Sequence, residues 1–414
     1  MDSYAGSMAL IFGVTLAVSL GLTPLVRYFA IRRNLVDRPG EARRVHTRPV
    51  PRLGGLAMFA AFAVGVLLMF AFNIYGIQDD ILVPNARFEP WRILFILLGG
   101  AIITLFMAVD DVRRLPALPR LFAQIGVALL VVIPSFIWPG GPNIIDPVTR
   151  ATEPAGTLHY DQGVGVLATT VRNPFGGTLE FPLILAAFVT VFWIVGMTNT
   201  INWIDGLDGL AAGVSAISCA VLFIIMGPIL QQFTLSYLPL ILCAAILGFL
   251  PYNIHPARIF MGDSGAMFLG FTLAIISIVG GAKVAATLLL VGIPLLDGVY
   301  MIVYRLYRGR SPLAADRSHL HHRLLDIGLS QQQVVLIFYL LSSTFGLVAL
   351  LFTQPGAGII TIMGLQVSIS LFKLSALLLM VLVLVALMIY ITRRRFDHAR
   401  SSARTDGEQT ERSA

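Results

Sequence analysis

The sequence predicts an all-α polytopic membrane protein with about 11 transmembrane helices, the N-terminus outside and the C-terminus cytoplasmic. Three observations carry this. Apolar residues make up 57% of the chain, charged residues only 12%, and the mean hydropathy is +0.83. That is not the composition of a soluble domain. The apolar residues fall in long stretches, and a length of 414 residues leaves room for roughly ten to twelve spans of about 20 residues each. The basic residues gather in alternate connections, as the positive-inside rule requires.

The stretches run at about 7–30, 53–76, 93–109, 121–138, 181–199, 209–229, 235–251, 265–281, 284–305, 334–353 and 366–391. The first lacks a basic start and a small-residue cleavage site and is too long for a signal-peptide core, so it reads as a retained span. The third ends in AVDDVRRLP. Between the fifth and sixth lies TNTINWIDGLDGL, between the seventh and eighth NIHPARIFMGDSG, and after the ninth DRSHLHHRLLDIG. With the N-terminus outside, the connections 27–52, 110–120, 253–264 and 305–333 and the C-terminal tail are cytoplasmic. They hold 23 of the 29 Lys and Arg residues. An even number of spans would put the basic tail outside and break this agreement. The net charge of +7 is mostly this bias, with attraction to anionic headgroups as an added effect. No soluble basic domain exists to bind nucleic acid. Cys219 and Cys243 lie in predicted spans without a CxxC pattern, so neither a zinc site nor a disulfide framework is indicated.

Two regions depart from the helical pattern. Residues 139–180 are rich in Gly, Pro and Thr, with partial alternation at 157–160 and 164–171, and read as a small extracytoplasmic β-hairpin. Residues 398–414 are polar and read as a disordered cytoplasmic tail. Residues 1–397 form a single integral-membrane catalytic domain in this reading.

Four polar clusters end spans on the predicted cytoplasmic side. Charged groups beside hydrocarbon are costly and mark function by default. Asp110 and Asp111 close the third span. Adjacent helical positions point about 100° apart, so the two carboxylates have different partners, and an acidic pair at a helix C-terminus opposes the macrodipole. Asn199, Asn202, Asp205 and Asp208 follow within ten residues. Asp205 and Asp208 share a face if the helix has begun, and oxygen ligands of this kind suit Mg²⁺ or Mn²⁺ rather than zinc. Asn253, Arg258, Asp263 and Ser264 sit before the eighth span. One of them is a natural N-cap, and a helix N-terminus with Gly is an anion site. His319, His321 and His322, with Arg323, form a donor-rich cationic surface suited to phosphate, with metal binding as the alternative. Carboxylates and amides for a divalent cation facing cations for phosphates are the inventory of phosphoryl transfer. The absence of a Walker A sequence excludes P-loop ATP hydrolysis.

These segments, with NLVDRPGEARRVHTRPVPRLGG near the start, closely resemble the polyprenyl-phosphate N-acetylhexosamine-1-phosphate transferase superfamily. The resemblance runs from about residue 31 to 333. The pattern His319-Leu320-His321-His322 resembles the bacterial branch that transfers GlcNAc-1-phosphate from UDP-GlcNAc to undecaprenyl phosphate. The muramoyl-pentapeptide branch carries three consecutive histidines there. The resemblance implies that UDP-GlcNAc and undecaprenyl phosphate give undecaprenyl-pyrophosphoryl-GlcNAc and UMP. That is the first membrane step of a lipopolysaccharide, teichoic-acid or related cell-envelope glycan. It implies a Mg²⁺ or Mn²⁺ cofactor held by Asp263 and Asn202. Asp110, Asp111, Asp205, His321 and His322 become the candidate catalytic residues. Asn199, Asp208, Asn253, Phe260, Arg120, His319 and Arg323 become the candidate substrate-binding residues. It further implies a bacterial inner-membrane location, a cytoplasmic active site and a homodimer. Another UDP-N-acetylhexosamine donor is the nearest alternative. A transporter would place polar groups near span centres, and here they lie at span ends.

Overall fold

The computed structural model describes residues 2–37, 49–74, 90–137, 165–172, 178–279, 287, 290–307, 309, 319–353, 359–362 and 365–368. The long helices, in order, are α1 (Asp2–Arg32), α2 (Gly54–Ile74), α3 (Pro90–Arg113), α4 (Ala117–Val132), continued by the single turn α5 (Pro134–Ile137), and α6 (Leu183–Ile204). Then follow α7 (Leu210–Ile224), extended by a π-turn at Ile225–Ile229, α8 (Phe233–Asn253), α9 (Gly262–Val279), α10 (Gly292–Tyr307), the short α11 (Leu320–Asp326) and α12 (Gln331–Thr353). Among the described residues nine helical segments are long and apolar enough to cross a membrane. The protein is therefore an all-α polytopic membrane protein.

The expected ninth stretch, 284–305, overlaps α10, and most of its first six residues lie outside the described residues. The expected eleventh lies outside the described residues beyond 368. Its first residues differ from the expectation: Leu365–Ser368 is a strand, β6, paired with β5 (Ile359–Ile362). The β-branched run Ile359-Ile360-Thr361-Ile362 favours extended pairing over helix. Within 139–180, β3 (Thr170–Arg172) pairs antiparallel with β4 (Thr178–Glu180). Residues 138–164, with the alternation at 157–160, lie outside the described residues, as does the tail 398–414.

Helices in a membrane gain little from apolar contact with one another, so close approach and hydrogen bonding hold them. Gly55 of α2 crosses Gly265 of α9 so closely that a Cβ at Gly55 would meet Ser264 and Gly265 backbone atoms at 2.5 Å. Gly270 packs on the Met197–Thr198 backbone of α6, and Gly248 of α8 packs on Ser19 of α1. Hydroxyls inside the bundle bond back to the carbonyl four residues earlier, as Thr104 does to Gly100 and Thr198 to Ile194. This pairs those hydroxyl hydrogens within their own helices. The extended stretch 166–168 is buried too, with Val166 donating to the Val131 carbonyl and Ala168 to Thr190 Oγ1. Non-helical backbone is tolerated at such depth only where protein satisfies it.

α9 is the hub: it packs against α2, α3, α6, α7 and α8, and 89% of its residues are buried, against 22% in the most apolar part of α1. Its N-terminus therefore opens at the centre of one end of the bundle.

Candidate active site

The C-terminus of α3 meets the N-terminus of α9. Asp111 accepts the backbone N–H groups of Asp263 at 2.8 Å and Ser264 at 3.1 Å. A helix leaves its first N–H groups unpaired and partly positive. A carboxylate from another helix caps them here, which explains an acidic residue at the unfavourable end of α3. Gly262 precedes with φ +71°, where a Cβ would run into the Arg52 carbonyl and the Asp111 carboxylate. Asp110 points elsewhere, as the helical spacing predicts, and its Oδ1 accepts the Leu115 N–H at 2.6 Å.

Arg120, on the first turn of α4, joins these carboxylates. Its Nη1 lies 3.0 Å from Asp263 Oδ2 and 3.5 Å from Asp110 Oδ2. Asn202, on the last turn of α6, donates to Asp263 Oδ1 at 2.9 Å. Three of the motifs thus converge on the Asp263 carboxylate. Asp205 caps the C-terminus of α6. Burial pushes its carboxyl well above the ordinary carboxylate range; Asp263 adds to this and Arg52 opposes it.

Arg52 is a site residue that the sequence motifs did not single out. Phe260 donates to the Pro51 carbonyl at 2.8 Å, Gly54 donates to the Phe260 carbonyl at 3.0 Å, and Gly55 to the Met261 carbonyl at 2.9 Å. These bonds strap the segment after β2 (Val50–Pro51) to the run leading into α9. Phe260, expected beside the uridine, contributes its backbone to this strap. β2 pairs with β1 (Val36–Asp37), and Arg52 lies 4.0 Å from Asp37. Burial works against the Arg52 charge, but the surrounding carboxylates, Asp111 first, outweigh it and hold the guanidinium above its ordinary value. The signal in the sequence was the stretch ending PVPRLGG, in which no single residue stands out.

Asp208 Oδ2 lies 2.8 Å from His255 Nδ1 and accepts the Ala257 N–H at 3.0 Å. Asn253 is buried and accepts the Gly209 N–H at 3.1 Å while donating to the Ile259 carbonyl at 3.0 Å. Gly209 has φ +77°, a conformation that favours glycine, and Tyr339 donates to its carbonyl at 2.6 Å. Asn253 therefore braces the loop from within. Asn199 sits one turn deeper than Asn202 and donates to Gln124 Oε1 at 2.7 Å and to the Val195 carbonyl at 2.8 Å, inside the α4–α6 contact.

The histidine segment packs against the end of α6 and the turn that follows it, at Trp203 and Gly206. His319 stacks on Trp203 at 6.0 Å and on His321 at 6.0 Å, and His321 meets His322 at 4.2 Å. His321 is 2% exposed, neither ring nitrogen has a protein partner, and its Nε2 faces Gly206. Burial, then the neighbouring His322, His319 and Arg323, hold this imidazole well below its ordinary pKa. Arg323, expected at the phosphates, is turned inward and pairs with Asp297 at 2.7 Å.

Among the described residues no three His, Cys, Asp or Glu side chains form a metal cage. A Mg²⁺ site needs less, because this ion takes one or two carboxylates and completes its shell with water and substrate phosphates. Asp263 and Asp110 already share one cation, the Arg120 guanidinium, with the Asn202 amide alongside. This oxygen-rich set fits a hard divalent ion.

Two carboxylate-bearing helix ends, cations facing them and a histidine wall, all at one end of a membrane bundle, define the class as an integral-membrane phosphotransferase. The model of glycosyl transferase family 4 matches residues 93–281. The chain is 34% identical over 348 residues to the "probable undecaprenyl-phosphate N-acetylglucosaminyl 1-phosphate transferase" of Bacillus subtilis, covering 82% of this chain and 83% of that one. It is 32% identical over 373 residues to the "decaprenyl-phosphate N-acetylglucosaminephosphotransferase" of Mycolicibacterium smegmatis, covering 83% and 82%. It is 27% identical over 308 residues to a Staphylococcus aureus "phospho-N-acetylmuramoyl-pentapeptide-transferase", covering 72% and 84%. The chain belongs to glycosyl transferase family 4, in the polyprenyl-phosphate hexosamine-1-phosphate transferase superfamily, and is a membrane phosphoglycosyltransferase.

Proposed function

We propose that the protein transfers GlcNAc-1-phosphate from UDP-GlcNAc to undecaprenyl phosphate, at the cytoplasmic face of a bacterial inner membrane. The observation that carries the reading is the convergence of Asp111, Asn202 and Arg120 on the first turn of α9 at Asp263. The names of the relatives from B. subtilis and M. smegmatis support GlcNAc transfer to a polyprenyl phosphate.

In this reaction a phosphate oxygen of the lipid bonds to the β-phosphorus of UDP-GlcNAc. The phosphoanhydride P–O bond breaks, and UMP leaves with its electron pair. The attacking oxygen is already anionic at neutral pH, so alignment and charge shielding matter more than proton removal. Arg120 and Arg52 supply positive charge at the acidic cluster, and Asp110 and Asp111 fix where it lies. His321, neutral and without a protein partner, is free to bond a sugar or phosphate oxygen at the Gly206 wall. Asp263 and Asn202 would hold Mg²⁺, with Asp110 beside them. The bound ion would neutralise the pyrophosphate as charge shifts to the leaving UMP.

The test is UMP release by the purified protein in detergent with undecaprenyl phosphate and Mg²⁺, with UDP-GlcNAc, UDP-GalNAc and UDP-MurNAc-pentapeptide in parallel. Lipid- and metal-dependent UMP from UDP-GlcNAc alone is expected. UMP from another donor instead would replace the sugar, and silence with all three would refute the reading.

A further inference from the structure

Asp297 belongs to none of the sequence motifs, yet it organises the histidine segment. It lies on α10, 3% exposed. Its Oδ1 accepts the Leu320 N–H at 2.9 Å and Arg323 Nη2 at 2.7 Å, and its Oδ2 lies 2.9 Å from His319 Nδ1. Leu320 is the first residue of α11, so one carboxylate caps that helix, holds its buried arginine and orients its leading imidazole. The Arg323 guanidinium also lies over the Tyr300 ring at 5.0 Å, one turn along α10. A buried carboxylate and guanidinium are tolerable only together, because either one alone is left charged and unpaired.

We propose that Asp297 is the positioning residue of the histidine wall, resting on the reading of that wall as a substrate contact. A carboxylate at Nδ1 fixes His319 as the Nδ1–H tautomer and leaves Nε2 as an acceptor. The stack from Trp203 through His319 to His321 passes this constraint on to the imidazole that faces Gly206. Asp297 itself acts only through these side chains.

The test is a double-mutant cycle on the full-length enzyme, with kcat and the KM for UDP-GlcNAc measured as UMP release. Asp297→Asn keeps the shape but neither balances Arg323 nor accepts all three bonds. It is expected to lower kcat by about 10- to 100-fold, by analogy with the partners that orient metal-ligating histidines, with KM changed less than about threefold. If Asp297 acts through His319, the same change in a His319→Gln background adds little. Should Asp297→Asn fail to fold, Asp297→Asn with Arg323→Met removes both buried charges and should fold yet stay slow. Unchanged kcat in the variant that folds, or effects that simply multiply across the cycle, would overturn the proposal. Wild-type protein that releases no UMP from any UDP-sugar would instead overturn the underlying functional reading, and the proposal with it.

Discussion

Asp111 links chemistry to architecture within one side chain. Both of its oxygens accept N–H groups of α9, and an amide offers only one acceptor oxygen. Asp111→Asn should therefore loosen the first turn of α9 by about 1 kcal/mol, the usual worth of a cap. It should also slow transfer by about 10²-fold, the cost of removing one preorganised electrostatic group. Calorimetric titration should still detect UDP-GlcNAc binding, while trapping of a phospho-sugar on the protein would sink direct attack. His321 makes a separate prediction. Its folded pKa lies well below the ordinary 6.5, so below pH 6.5 the unfolded chain binds a proton that the folded chain refuses. Stability is then full above that pH and is lost as pH falls toward the folded value. Thermal unfolding in detergent at pH 5.5 and 7.5 should show a larger acid loss for wild type than for His321→Gln. An equal loss in both would refute the assignment.

At the scale of elements, the site depends on how closely α2 lies on α9. Gly55→Ala forces a methyl into the Ser264–Gly265 backbone, and overpacking of this kind costs about 1–3 kcal/mol. The displaced backbone is the turn that Asp111 caps, so activity should fall together with the melting temperature. At Gly196 of α6 a methyl would have no neighbour within 4 Å, so Gly196→Ala serves as the control: activity should hold and the melting temperature should not fall, since Ala is the better helix former. The π-turn at Ile225–Ile229 contains Pro228, which lacks the N–H needed for regular α-helical bonding.

For the whole molecule, the spans and their polar ends were legible because membrane helices must be long and apolar and because charge there is rare. Asp110, Asp111, Asn202, Asp205, Asp208 and Asp263 stood out as exceptions to that rule, and the structure gathers them at one end of the bundle. Arg52 and Asp297 were not legible, for different reasons. Arg52 lies among many topological arginines, and only the strap from Pro51 to Met261 brings it to the acidic cluster. Asp297 stands in an apolar run, and its role depends on contacts 22 to 26 residues away. Asn253 and Arg323 were legible as unusual but not as braces, since pattern does not report which way a side chain turns. Orientation is open to direct measurement: with Cys219 and Cys243 both buried, background labelling should be low. Cysteines introduced by Arg114→Cys and Gln231→Cys, both at exposed positions, should react from the cytoplasmic and outer sides respectively, and the reverse result would invert the topology. The near-complete burial of α9 has a mechanical consequence. Bilayers differ in thickness, and helices that face lipid answer by tilting. α9 touches protein on nearly all sides, so such tilting is taken up by the outer ring. Asp263 should therefore keep its place beside Asp111, Asn202 and Arg120 whatever the acyl-chain length of the host membrane.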